Sequence, residues 1–74
     1  MLFYRPEPLQ DLSGRITSEY RELPGLQLTL AQASRLFDTD PRTVEAALER
    51  LVASSFLSHA GAFYVRADVG RHWH

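Results

Sequence analysis

Four charged side chains, Arg42, Glu45, Glu49 and Arg50, recur at three- to five-residue separations within the stretch FDTDPRTVEAALERLVASSFL. On a helix, such spacing gathers side chains on one face. Two chemistries fit that face: a solvated surface laced with weak ion pairs, or guanidinium groups that touch the phosphates and bases of nucleic acid. Taken alone, the four residues support both equally. Thr29, with Gln32 three positions on, and Asp40, followed by Pro41, are of the types whose side-chain oxygens cap the first N–H groups of a helix. Capping is their first role, and a phosphate contact at the same helix end comes second. His72 and His74 flank Trp73 and would point the same way in an extended tail. Two imidazoles without a third ligand make a poor metal site, so no metal or other cofactor is expected. The chain has no glycine-rich phosphate loop and no nucleophile beside a histidine in a recognisable motif. It is therefore not expected to be an enzyme.

The elements that carry these residues follow from hydrophobic spacing. Two prolines in MLFYRPEP fix φ and hold residues 1–8 in an extended arm whose Leu2, Phe3 and Tyr4 need a surface to cover. From Leu9, the residues Leu9, Leu12, Ile16, Tyr20 and Leu23 recur every three or four positions, the pattern of an amphipathic helix, which Pro24-Gly25 ends. A second helix begins at Leu30 behind the Thr29/Gln32 capping box and closes within about one residue of Phe37. It turns Leu30, Ala33, Leu36 and Phe37 inward. The third helix, from Pro41 to about Ser54, buries Val44, Ala47, Leu48, Leu51 and Val52 as one stripe. Arg42, Thr43, Glu45, Ala46, Glu49 and Arg50 are left on its outer faces. Phe56-Leu57-Ser58 and Phe63-Tyr64-Val65-Arg66 flank His59-Ala60-Gly61-Ala62 and predict a hairpin, with Gly61 supplying positive φ. Leu26-Gln27-Leu28 offers a third strand. Leu36, Val44, Leu48, Leu51 and Phe56 are expected to share one core.

At 74 residues there is room for one domain, in a size range where contact with a partner often helps. The domain is expected to span residues 9–66, with residues 67–74 as a loose tail. The absence of cysteine excludes disulfides, thiolate metal sites and thiol nucleophiles, and fits a reducing compartment. No apolar run is long enough to cross a membrane, so a cytoplasmic protein is expected. A formal net charge of −1 means that any basic patch must be local.

Helix, short strand, helix, tight turn, helix and hairpin is an order that resembles winged helix-turn-helix domains of small transcriptional regulators. The resemblance is carried by Leu28-Thr29, Ala33, Leu36, Asp40, Thr43-Val44, Ala47-Leu48, Leu51 and Phe56-Leu57, and it runs from about Leu26 to Arg66. It implies a mainly α fold with a small β-hairpin: three helices plus a two- or three-stranded antiparallel wing. Where the family often has glycine after the second helix and before the wing, this chain has Asp38 and Ser55. Aspartate in particular enters the left-handed region more readily than most residues.

The resemblance also implies sequence-dependent binding of double-stranded DNA with the third helix in the major groove. A reading helix meets base edges with its N-terminal residues, which assigns Arg42, Thr43 and Ala46 to bases and Arg50 and Arg35 to phosphates. Thr29, His59 at the wing tip and Arg66 on the second wing strand complete the expected contact set. Arg15 and Arg21 on the first helix are further candidate phosphate contacts. With few phosphates reached per chain, a homodimer through the N-terminal arm and the first helix is expected. The alternative is a protein-interaction module that keeps the shape without binding DNA.

Overall fold

The computed structural model describes residues 8–68, and the side chains from residue 11 onward. The expected arm with Leu2, Phe3 and Tyr4, the side chain of Leu9, and His72, Trp73 and His74 all lie outside the described residues. Helix α1 spans Pro8–Glu22, so Pro8 opens the helix, where a proline's missing N–H costs nothing. Leu12, Ile16 and Tyr20, four residues apart, are all buried. The helix ends where Pro24-Gly25 reverses the chain, and the Leu26 N–H donates to the Leu23 carbonyl at 2.9 Å. Leu23 falls in this reversal and turns to solvent instead of continuing the buried face.

Strand β1 is Leu28–Thr29, and helix α2, Leu30–Leu36, follows it directly. The capping box forms: the Gln32 N–H donates to Thr29 Oγ1 at 3.2 Å, and the Thr29 N–H donates to Gln32 Oε1 at 2.9 Å. Helix α3, Pro41–Ala53, starts on Asp40, whose carboxylate accepts the Arg42 N–H at 3.0 Å. Both α2 and α3 close with one motif. After α2 the N–H groups of Asp38 and Thr39 reach back to the carbonyls of Arg35 and Ser34; after α3 those of Ser55 and Phe56 reach back to Val52 and Leu51. This pairing of hydrogen bonds requires the residue just past the helix cap to be left-handed. Asp38 has φ 51° and Ser55 has φ 70°, the two positions where the winged-helix resemblance expects glycine.

Strands β2 (Leu57–Ala60) and β3 (Phe63–Arg66) form the hairpin. Its two-residue turn, Gly61-Ala62, has positive φ only at Gly61, at 63°, which makes it a type II′ turn suited to the twist of the strands. The sheet is antiparallel with order β1-β3-β2, so β3 lies in the middle. Leu28 pairs with Tyr64 and Thr29 with Phe63 on one side; Leu57 pairs with Arg66 and His59 with Tyr64 on the other. The Ala67 N–H extends the hairpin by donating to the Phe56 carbonyl at 3.1 Å, so the first residue of the expected tail is tied to the domain.

α1 and α2 both pack on α3, and β2 runs along it. The core contains Leu12, Ile16, Tyr20, Leu28, Ala33, Phe37, Val44, Ala47, Leu48, Leu57 and Tyr64, with Leu51 and Phe56 half-buried against it. Leu36 does not join them: it is 52% exposed. Ala33 and Phe37, four residues apart, take the inward line as expected, with Phe37 at the cap of α2, while Leu36 turns outward. Three helices with a small three-stranded sheet make this a mainly helical, winged-helix-like fold. No helix among the described residues is long and apolar enough to cross a membrane.

Candidate nucleic-acid interface

The outer face of α3 consists of Arg42, Glu45, Ala46, Glu49, Arg50 and Ala53, all exposed, while Thr43 is half-buried at its border. At 100° per residue, Arg42, Ala46, Glu49 and Ala53 project near the centre of this face. Glu45 lies on one flank, and Arg50 and Thr43 on the other. The Glu45 flank is the one turned to the wing, since Glu49, next to it, touches β2 and β3. The helix is therefore bipolar across its width, with acid toward the wing and base away from it.

Of the two readings of this face, the one laced with ion pairs between its own charged residues has no such pair among the described residues. Among the described residues Arg42 and Arg50 on α3, and the exposed Arg35 in the last turn of α2, make no ion pair, and neither does Glu45. Glu49 instead reaches the wing. Its Oε2 accepts the Tyr64 hydroxyl at 2.9 Å and lies 3.0 Å from His59 Nε2, a charged pair whenever the imidazole is protonated. The His59 and Tyr64 rings, directly opposite in the hairpin register, stand 4.8 Å apart at a tilt of 49°. Burial raises the Tyr64 phenol to about 12, helped by its hydrogen bond to Glu49 and by the charges of Glu49 and Glu45.

The remaining expected contacts are divided. Thr29 spends its hydroxyl acceptor on the α2 cap. Arg15 is exposed on α1 with its guanidinium 5.7 Å from the Phe37 ring centre, and Arg21 is exposed in the last turn of the same helix. Arg66 is turned into the domain. It makes two hydrogen bonds to Asp68, at 2.9 and 2.7 Å, donates to the Tyr20 carbonyl at 3.3 Å, and lies 5.0 Å over the Phe56 ring. Its side chain is 18% exposed. A wing cation was expected at Arg66, but the guanidinium there joins β3 to the end of α1. Sequence spacing missed Tyr64, Asp68 and Phe56 as partners of these groups. The only local signal was Asp68 two residues from Arg66.

The fold and the face of α3 together define a small winged-helix-like domain whose third helix is acidic on the flank toward the wing and basic on the other. The chain matches no protein-family model, and no curated protein or solved structure matches it.

Proposed function

We propose that this chain is a small winged helix-turn-helix regulator that binds double-stranded DNA with sequence preference in the cytoplasm, with α3 lying in the major groove. One observation carries the reading. The centre of the α3 face and its flank away from the wing offer Arg42, Thr43, Ala46 and Arg50, the acid nearest them, Glu49, is engaged by the wing, and both arginines are free of intramolecular ion pairs among the described residues. In this reading Arg42, in the first turn, meets a base edge, and a bidentate contact to guanine from such a position contributes about 1 to 3 kcal/mol of discrimination. Arg50 and Arg35 serve phosphates. In this reading the wing tip, Ala60-Gly61-Ala62, brings no cation to the minor groove, so the contact is made mainly by the helices. A homodimer through α1 and residues 2–4 doubles the few phosphates one chain reaches, and no chemistry is catalysed.

Binding of the wild type to random-sequence and genomic duplexes at several salt concentrations tests the proposal. Each lost phosphate contact lowers the salt slope by about one unit. Arg50→Ala should weaken all sequences alike, and Arg42→Ala should flatten preference at one base pair. Leu23, Leu36 and Phe63, all large, apolar and exposed, favour the second reading, a protein-interaction module. Equal, salt-insensitive retention of wild type and Arg42→Ala would defeat the DNA reading in favour of that module.

A further inference from the structure

Glu45 and Glu49 stand one turn apart on α3, carry the same charge and are both exposed, yet only one of them is held. Glu45 makes no ion pair or hydrogen bond among the described residues. Glu49 presents one oxygen to side chains from both strands of the wing. We infer that Glu49 is a positioning residue of the DNA interface, fixing the angle between the wing hairpin and the reading helix through Tyr64 and His59. This inference rests on the DNA-binding reading above.

The two contacts are not equal. His59 and Glu49 have side chains 50% and 47% exposed, and an ion pair so open to water does little to hold a hairpin. Tyr64 is 6% exposed, and a hydroxyl on a buried ring needs its partner. Its hydrogen bond to Glu49 is thus the stronger tie, with His59 steering the same carboxylate from the neighbouring strand. Tyr64 also sits on the central strand, between Leu28 of β1 and His59 of β2. A hold on Tyr64 is therefore a hold on the sheet as a whole. The wing tip has no long side chain of its own with which to lean on α3.

A free glutamate near phosphates weakens DNA binding, and its removal should strengthen binding by up to about fivefold. A glutamate that orients the wing should behave oppositely when truncated. Duplex binding and amide hydrogen exchange of residues 57–66 are to be measured for Glu45→Ala, Glu49→Ala, Glu49→Gln and Tyr64→Phe, at a temperature where each is folded. The expected result is stronger binding for Glu45→Ala and several-fold weaker binding with faster hairpin exchange for Glu49→Ala. Glu49→Gln, which keeps an acceptor for the Tyr64 hydroxyl, should restore slow exchange and binding at least equal to wild type. Tyr64→Phe keeps the ring and should repeat the Glu49→Ala behaviour. If Glu49→Ala binds DNA as strongly as Glu45→Ala, or leaves hairpin exchange unchanged, this inference is overturned while the DNA reading stands. If the wild type itself shows no salt-sensitive binding, both fall together.

Discussion

Tyr20 and Tyr64 are joined head to backbone: the Tyr20 hydroxyl donates to the Tyr64 carbonyl at 2.6 Å, across 44 residues of sequence. The Tyr20 carbonyl is in turn the acceptor for Arg66, two residues further along β3. One residue near the end of α1 thus grips the central strand from two directions. Through the Tyr64 hydroxyl the grip continues to Glu49 on α3. Tyr20→Phe removes only the first of these donors and keeps the ring, which is fully buried and meets Phe56 edge-on. Loss of one buried hydrogen bond should cost roughly 1 kcal/mol, seen as a lower thermal midpoint with the helical signal intact. An unchanged midpoint would mean that the contact contributes nothing.

Leu48 and Leu36 separate core from surface. Leu48 is fully buried, and Leu48→Ala should cost about 2 to 5 kcal/mol in chemical denaturation. Leu36 is half exposed, and Leu36→Ala should stay within about 0.5 kcal/mol. Similar losses at both sites would contradict the inward line drawn through Ala33 and Phe37.

Alkali should unfold the domain through two phenols. Burial raises both Tyr20 and Tyr64 from 10.0 to about 12, against a backbone hydrogen bond from Leu28 that pulls Tyr20 the other way. The folded state therefore favours the neutral rings. Their contribution is intact below pH 10 and is lost as the pH climbs toward 12. Phenolate absorbance and loss of helical signal should rise together in that window. Phenolate forming on both rings of a still-folded chain at pH 10 would refute this.

The left-handed residues predict two opposite effects. At Ser55, φ 70°, glycine would relieve a conformation costly to any side chain, so Ser55→Gly should stabilise by up to about 1 kcal/mol. Gly61, φ 63°, is the reverse case. A Cβ there meets no atom within 4 Å, so Gly61→Ala should cost about 1 kcal/mol or more from backbone strain alone. Urea midpoints of the two variants, moving in opposite directions, are the check.

Arg66 should separate stability from DNA binding. Arg66→Ala removes the links to Tyr20, Asp68 and Phe56 and should lower the thermal midpoint. Measured on folded protein, it should leave the salt slope of DNA binding unchanged. A slope reduced by about one unit would restore Arg66 to the phosphate contacts.

What the sequence makes legible here is local. The Thr29/Gln32 box, the Asp40-Pro41 start and the Gly61 turn each depend on residues within three positions of one another, and all three form as expected. Asp38 and Ser55 stand where glycine was expected and adopt the backbone that glycine would. The buried stripe of α3 follows from its period. The partners of Glu49 and Arg66 do not, because Tyr64 is 15 residues from Glu49 and Tyr20 is 46 from Arg66. No periodic pattern encodes a pairing across such distances. Leu36 shows a subtler limit: Leu36 and Phe37 both satisfy helical spacing after the buried Ala33, yet only Phe37, four residues on, is buried.

The strand order has a consequence for synthesis. β3 is the last strand among the described residues and the one that pairs with both others. A chain growing from its N-terminus completes α1, α2, α3, β1 and β2 before this ladder can exist, because β1 and β2 do not pair with each other. Until residues 63–66 emerge, Leu28 and Leu57 lack the strand between them and the Tyr20 hydroxyl lacks its acceptor. The arrival of β3 is thus the moment at which sheet, clasp and α3 become one body, and a chain cut short before Phe63 keeps its apolar seam open to proteases and to other chains.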